Sequence, residues 1–139
     1  MCFQNGKNMY ILDTDILIGL ARGNFHLQEK VIKAGINKCA ISEISLAELY
    51  VGSYKKRPLK KSNDLAIVMA ELFSSLPITP ALKTYGRIRA QLELQGNSLE
   101  DMDLFIAATA IANNYTLISG NTKHFSRIPG LKLKDWTEE

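Results

Sequence analysis

Residues 10–20 read YILDTDILIGL, and the acid that breaks this apolar run decides the fold. Tyr10 to Leu12 suits a short buried strand, after which Asp13 or Thr14 caps a helix running to about Arg22, where Gly23 stops it. If that strand belongs to a parallel sheet, DTD directly after it places at least one carboxylate at the sheet's carboxyl edge. The crevice outside that edge is where open α/β sheets bind ligands.

The rest of the chain keeps the same alternation. A helix fits Phe25 to Ala34, with Asn24 as cap and Gly35 as terminator, and Lys38 to Ser42 returns as a strand. The segment SLAELYVGSYKK reads as a helix opened by a capping box from Ser45 to Glu48, ending before Pro58 in the basic loop Lys55, Lys56, Arg57, Lys60 and Lys61. Leu65, Val68, Met69, Leu72 and Leu76 recur at helical spacing, and Leu76 to Thr79 is the expected third strand. Thr79 followed by Pro80 starts a helix to about Gln95, before Gly96. Ser98 to Asp101 forms another capping-type box before a helix ending near Asn113; Thr116 to Ser119 is a fourth strand and Leu131 to Trp136 an edge strand. Alternating strands and helices predict an α/β fold: one domain over residues 9–139, with a mostly parallel central sheet flanked by helices, after a short tail at 1–8.

Composition sets bounds on function. At 139 residues, 46% hydrophobic and 22% charged, the chain has the make-up of one globular domain with a full core. A net charge of +3 suits a polyanionic partner without requiring one. Cys2 and Cys39 are too few for a disulfide framework or a zinc site, so a reduced, cytoplasmic setting is expected. No apolar run reaches the roughly 18 residues of a membrane span, and MCFQNGKNMY lacks the apolar core of a signal peptide.

Four polar positions stand beside those apolar runs: Asp13, Glu48, Asp103 and Asn121. Each has a structural explanation. Asp13 is a good helix cap, Glu48 completes a capping box, and Asn121 after Gly120 suits a turn. Asp103 is harder to explain so, because its helix neighbours Leu104, Ile106, Ala107, Ala108 and Ile111 are apolar and Asp101 already supplies an acid near the start. Ala107 and Ala110, one and two turns on, leave room for an ion or phosphate to approach. Carboxylates gathered on one rim would raise one another's pKa, and a divalent cation is the economical remedy. His124 could ligate a metal, but a lone histidine beside Phe125 reads rather as a packing or surface residue, and the lysine-rich loop as a solvated one that could track a phosphate backbone.

At these residues the chain resembles the PIN-domain ribonucleases, and among them most closely the VapC toxins of bacterial toxin–antitoxin modules. The matching blocks are YILDTDILIGL, AISEISLAELYVGS, YGRIRAQLELQGNSLEDMDLFIAATAIAN and LISGNTKHFSRIPGLKLKDW, in the family's order from Met9 onward. The resemblance implies that Asp13, Glu48 and Asp103 bind Mg²⁺ or Mn²⁺. Asn121 falls where many PIN domains carry a fourth acid and VapC-like members often carry asparagine. Asp15 stands where asparagine is common, and Ser119 with Gly120 replaces a threonine–asparagine run.

The implied activity is hydrolysis of RNA phosphodiesters by metal-activated water, leaving 5′-phosphate and 3′-hydroxyl ends. The implied partners are RNA, a VapB-like antitoxin and a second copy of the chain. Two other readings compete. A haloacid-dehalogenase-like phosphotransferase would also place an aspartate pair after its first strand, but gives Glu48 and Asp103 no role. A non-catalytic PIN-fold module binding RNA or protein would be expected to have lost some of the acids.

Overall fold

Strand pairing organises the computed structural model, which describes residues 8–55 and 64–138. In chain order the elements are β1 (Tyr10–Leu12), α1 (Thr14–Ala21), α2 (Phe25–Ala34), β2 (Cys39–Ser42), α3 (Glu43–Lys55), α4 (Leu65–Leu72), β3 (Ser74–Leu76), α5 (Leu82–Leu94), α6 (Asp101–Ala112), β4 (Thr116–Ile118), α7 (Thr122–Phe125) and β5 (Leu133–Lys134). The sheet order is β3-β2-β1-β4-β5, and every pairing is parallel. Tyr10 lies opposite Cys39 on one side and Thr116 on the other, so β1 is the central strand. The order reverses between β1 and β4, the kind of switch point beside which α/β sheets form ligand crevices.

Successive strand residues face opposite sides of a sheet, and two cores result. Leu12, Ile41 and Ile118 pack with Ile16 and Leu17 of α1, Leu27 and Val31 of α2, and residues of α3 and α4. Ile11 and Leu117 point the other way, against Ile88 and Leu92 of α5, Leu104 and Ala108 of α6, and Phe125. This is the expected α/β/α layering. α1 and α2 pack closely because Gly19 has no side chain: a Cβ there would lie 2.7 Å from Leu27 Cδ1.

Several boundaries differ from the sequence reading, each for a local reason. The third strand is Ser74–Leu76 rather than 76–79, because Pro77 has no amide hydrogen to continue the ladder and the exposed serines before it pair with Ala40 and Ile41. Ser45 does not cap α3. The helix starts at Glu43, where the Ser42 hydroxyl accepts a 3.0 Å hydrogen bond from the Ile44 amide. Likewise, α6 begins after Glu100, which makes no side-chain cap, so Ser98 lies outside the helix and Asp101 and Asp103 share its first turn. Thr79–Ala81 is a 3₁₀ turn leading into α5. The last strand shrinks to Leu133–Lys134. The basic loop through Lys56–Lys61 lies outside the described residues.

Candidate functional site

Asp13 follows β1 and occupies the N-cap of α1, so its carboxylate is fixed at the carboxyl edge of the central strand. One oxygen, Oδ1, accepts from the Thr14 amide at 2.9 Å; the other, Oδ2, accepts from the Ser119 hydroxyl at 2.8 Å, beyond the end of β4. Ser119 Oγ in turn accepts from the Asn121 amide at 2.9 Å. Asp13 is 7% exposed. Burial raises its pKa from 3.8 to about 7 despite the Ser119 and Thr14 hydrogen bonds, with the charges of Asp15 and Asp103 adding to the rise.

Asp103 projects from the first turn of α6. Burial raises its pKa too, and Glu100, Glu48 and Asp15 push the same way, while His124 opposes them. Glu48, in the second turn of α3, receives a 2.6 Å hydrogen bond from Thr14 Oγ1. Thr14 Oγ1 is also 3.0 Å from Ser45 Oγ. A threonine hydroxyl has one proton, and a carboxylate is a stronger acceptor than a hydroxyl, so the Ser45 hydroxyl supplies the proton of that second contact. Glu48 is thus joined to α1 through Thr14, rather than to its own helix start.

Asn121 precedes α7 and is exposed, with its amide nitrogen 3.0 Å from His124 Nδ1. That ring nitrogen lies 3.8 Å from Asp103 Oδ2. The His124 ring thus links the Asn121 side chain to Asp103's surroundings. Asp15 is more open; its Oδ2 accepts from the Gly120 amide at 2.9 Å. A Cβ at position 120 would sit 2.9 Å from that same oxygen, so the two departures from the family pattern meet in one contact.

Asp13, Asp15, Glu48, Asp103 and Asn121 therefore gather at the carboxyl edge, where α/β sheets form ligand crevices. Sequence reasoning saw Thr14 only as a possible helix cap and Ser119 only as a departure from the family pattern, not as the hydroxyls that orient Glu48 and Asp13, and read His124 as a packing or surface residue. The available signal was proximity: each lies within one to three residues of Asp13 or Asn121. Among the described residues, no group of three or more His, Cys, Asp or Glu side chains is arranged to hold a metal ion outright. The donor chemistry still fits a hard cation. The groups are oxygens, burial reinforced by neighbouring carboxylates gives Asp13 and Asp103 a reason to bind positive charge, and Mg²⁺ commonly takes only one or two carboxylates and keeps several waters.

A parallel α/β domain with a carboxylate crevice at its topological switch point is the class these features define. Residues 10–131 match the PIN domain family model. The chain belongs to the PIN-domain family, and its curated relatives are VapC proteins. It is 35% identical over 131 residues to Ribonuclease VapC2 of Rickettsia felis, covering 92% of this chain and 98% of that one. To the tRNA(fMet)-specific endonuclease VapC of Salmonella typhimurium it is 30% identical over 132 residues, covering 91% and 97%. In structure it is similar to DNA-bound VapBC from Salmonella typhimurium, with a TM-score of 0.82 at 29% identity over 94% of this chain and 99% of that one. Membership of this family sets aside the haloacid-dehalogenase-like alternative.

Proposed function

We propose that this chain is an endoribonuclease dependent on Mg²⁺ or Mn²⁺ and the toxin half of a toxin–antitoxin pair. The observation that carries the reading is the buried Asp13 facing the charges of Asp15 and Asp103, an arrangement unfavourable by itself and relieved by a cation. Asp13, Glu48 and Asp103 would hold the ion. When bound, it would neutralise phosphate charge and lower the pKa of water.

The protein's own side chains do the rest. Ser119 and the Thr14 amide hold the two oxygens of Asp13 in place, and the Thr14 hydroxyl does the same for Glu48. Asn121, braced by His124, offers a neutral amide to phosphate or water. Because water attacks phosphorus, the RNA 2′-hydroxyl takes no part. A 2′-deoxy nucleotide at the scissile position should therefore still be cut.

Purified protein with Mn²⁺ should degrade RNA, and EDTA or the Asp13→Ala substitution should stop it. Equal cleavage with and without EDTA would refute the metal-dependent reading. The antitoxin is supported by the antitoxin-bound relatives and by exposed Tyr50, Val51 and Tyr54 on α3 and Leu72 on α4, an apolar surface suited to an amphipathic helix. An arginine from that partner, whose planar fork matches paired carboxylate oxygens, would compete with the cation.

A further inference from the structure

The amino edge of the sheet, opposite the acids, carries a feature that the nuclease reading leaves unused. A cavity of about 310 Å³ is lined by Lys30 and Lys33 of α2, Lys38 just before β2, Tyr10 at the start of β1, and Trp136. Among the described residues that line it, none carries a carboxylate. Lys30 and Lys33 are three apart on α2 and so share a face, and Lys38 reaches the same hollow after the 3₁₀ turn at Ile36–Lys38. Lys33 also sits in the last turn of α2, where a cation is favourable against the helix dipole. That accounts for Lys33 but not for the convergence with Lys38, which brings like charges together.

One wall is aromatic and packed. Trp136 is 5% exposed and packs against Tyr10 with ring centroids 5.1 Å apart. The same terminal segment also reaches the acidic crevice: Asp135 raises the pKa of Asp15, and a Cβ at Gly120 would lie 3.5 Å from Thr137. Asp135 and Thr137 thus lie beside the acidic edge while Trp136 between them lines the lysine-bearing hollow. The strand between the two edges spans only about 10 Å.

We propose that this hollow binds backbone phosphate of the RNA substrate at a distance from the scissile bond, with Lys33 and Lys38 as the phosphate contacts. The proposal rests on the ribonuclease reading. A polyanion must approach a rim of carboxylates to be cut, and cationic contacts on the opposite edge give it purchase without adding charge to the crevice. Such contacts supply affinity without reading sequence.

The test measures binding of unfractionated tRNA to the full chain in EDTA, where no cleavage is expected, across a salt series. Lys33→Glu/Lys38→Glu should bind about tenfold more weakly, with the slope of log affinity against log salt reduced by about 1.4 for two lost single-strand phosphate contacts. Arg22→Glu/Lys132→Glu makes the same change in net charge elsewhere and should lose far less. Trp136, the chain's single tryptophan, gives a second readout: tRNA should change its fluorescence in the wild type but not in the lysine variant.

Unchanged affinity and slope in the lysine variant, an equal loss in the charge control, or no measurable tRNA binding by the wild type would each overturn the proposal. The two readings fail separately. Wild-type protein that binds tRNA through these lysines but never cuts RNA refutes the nuclease, whereas cleavage with indifferent lysines refutes the hollow.

Discussion

Asp13 sets the electrostatic state of the crevice. Its carboxyl holds a proton up to about pH 7 when folded, against an ordinary 3.8. The folded state therefore binds more protons than the unfolded one between those values, so this group's stabilising effect is fullest below 3.8 and is lost as pH rises through 7. Without metal, Asp13→Asn should melt above the wild type at about pH 8, by at most about 4 kcal/mol, and show no gain at about pH 3. Thermal unfolding in EDTA checks this; a wild type more stable at the higher pH would refute it. The same variant should be inactive, so stability and activity move in opposite directions.

The supporting side chains should matter less than the acids they orient. Thr14→Val and Ser119→Ala are each expected to lower cleavage about 10- to 100-fold, and Asn121→Ala about tenfold, while Asp103→Ala removes nearly all of it. Initial rates with Mn²⁺ on folded variants test the ranking. Equal loss in Asn121→Ala and Asp103→Ala would show that the amide does more than position water or phosphate.

Among the elements, α2 was legible to the residue because Asn24 and Gly35 are strong local signals: the Asn24 side chain accepts from the Leu27 amide and Gly35 has φ 103°. The starts of α3 and α6 were not, because several polar residues near each helix could cap it and tertiary position made the choice. Ser42 is held at the end of β2, within reach of the Ile44 amide, whereas Ser45 is turned toward Thr14. Ser42→Ala should thus cost about 1 kcal/mol of stability and Ser98→Ala almost nothing. Urea unfolding midpoints distinguish them, and a larger cost at Ser98 would restore the capping box there.

The acids were legible for a related reason: each interrupts or borders an apolar run, which local sequence reveals. Their hydroxyl partners were not. Thr14 and Glu48 are 34 residues apart and Ser119 and Asp13 are 106 apart, so nothing nearby in sequence announces either pair. Asp101 is the converse. It was read as a cap acid, yet its Oδ1 is bound by the Tyr85 hydroxyl at 2.7 Å and by Arg89 at 3.0 Å, across the contact between α5 and α6.

At the scale of the whole molecule, a basic chain gathers Asp13, Asp15, Glu48 and Asp103 on one edge and exposes apolar side chains on α3 and α4. Expression of the chain alone should arrest growth, and the Asp13→Ala variant should not. Inhibition by a partner that acts through an arginine in the crevice should weaken as Mn²⁺ is raised. Normal growth with abundant soluble wild-type protein would remove the toxin assignment while leaving the fold untouched.

The sheet order has a consequence for synthesis on the ribosome. β1 is made early but needs β4 beside it, and the hydroxyl that grips Asp13 arrives 106 residues later. Domains form as units while their chain emerges, and pairings this distant in sequence close late. A nascent chain that has not yet displayed β4 lacks Ser119 and Asn121 and has only half of its central strand's neighbours. A fragment ending at Asn113 should therefore neither cut RNA nor arrest growth, so the proposed nuclease should stay unfinished on the ribosome until Asn121 has been made.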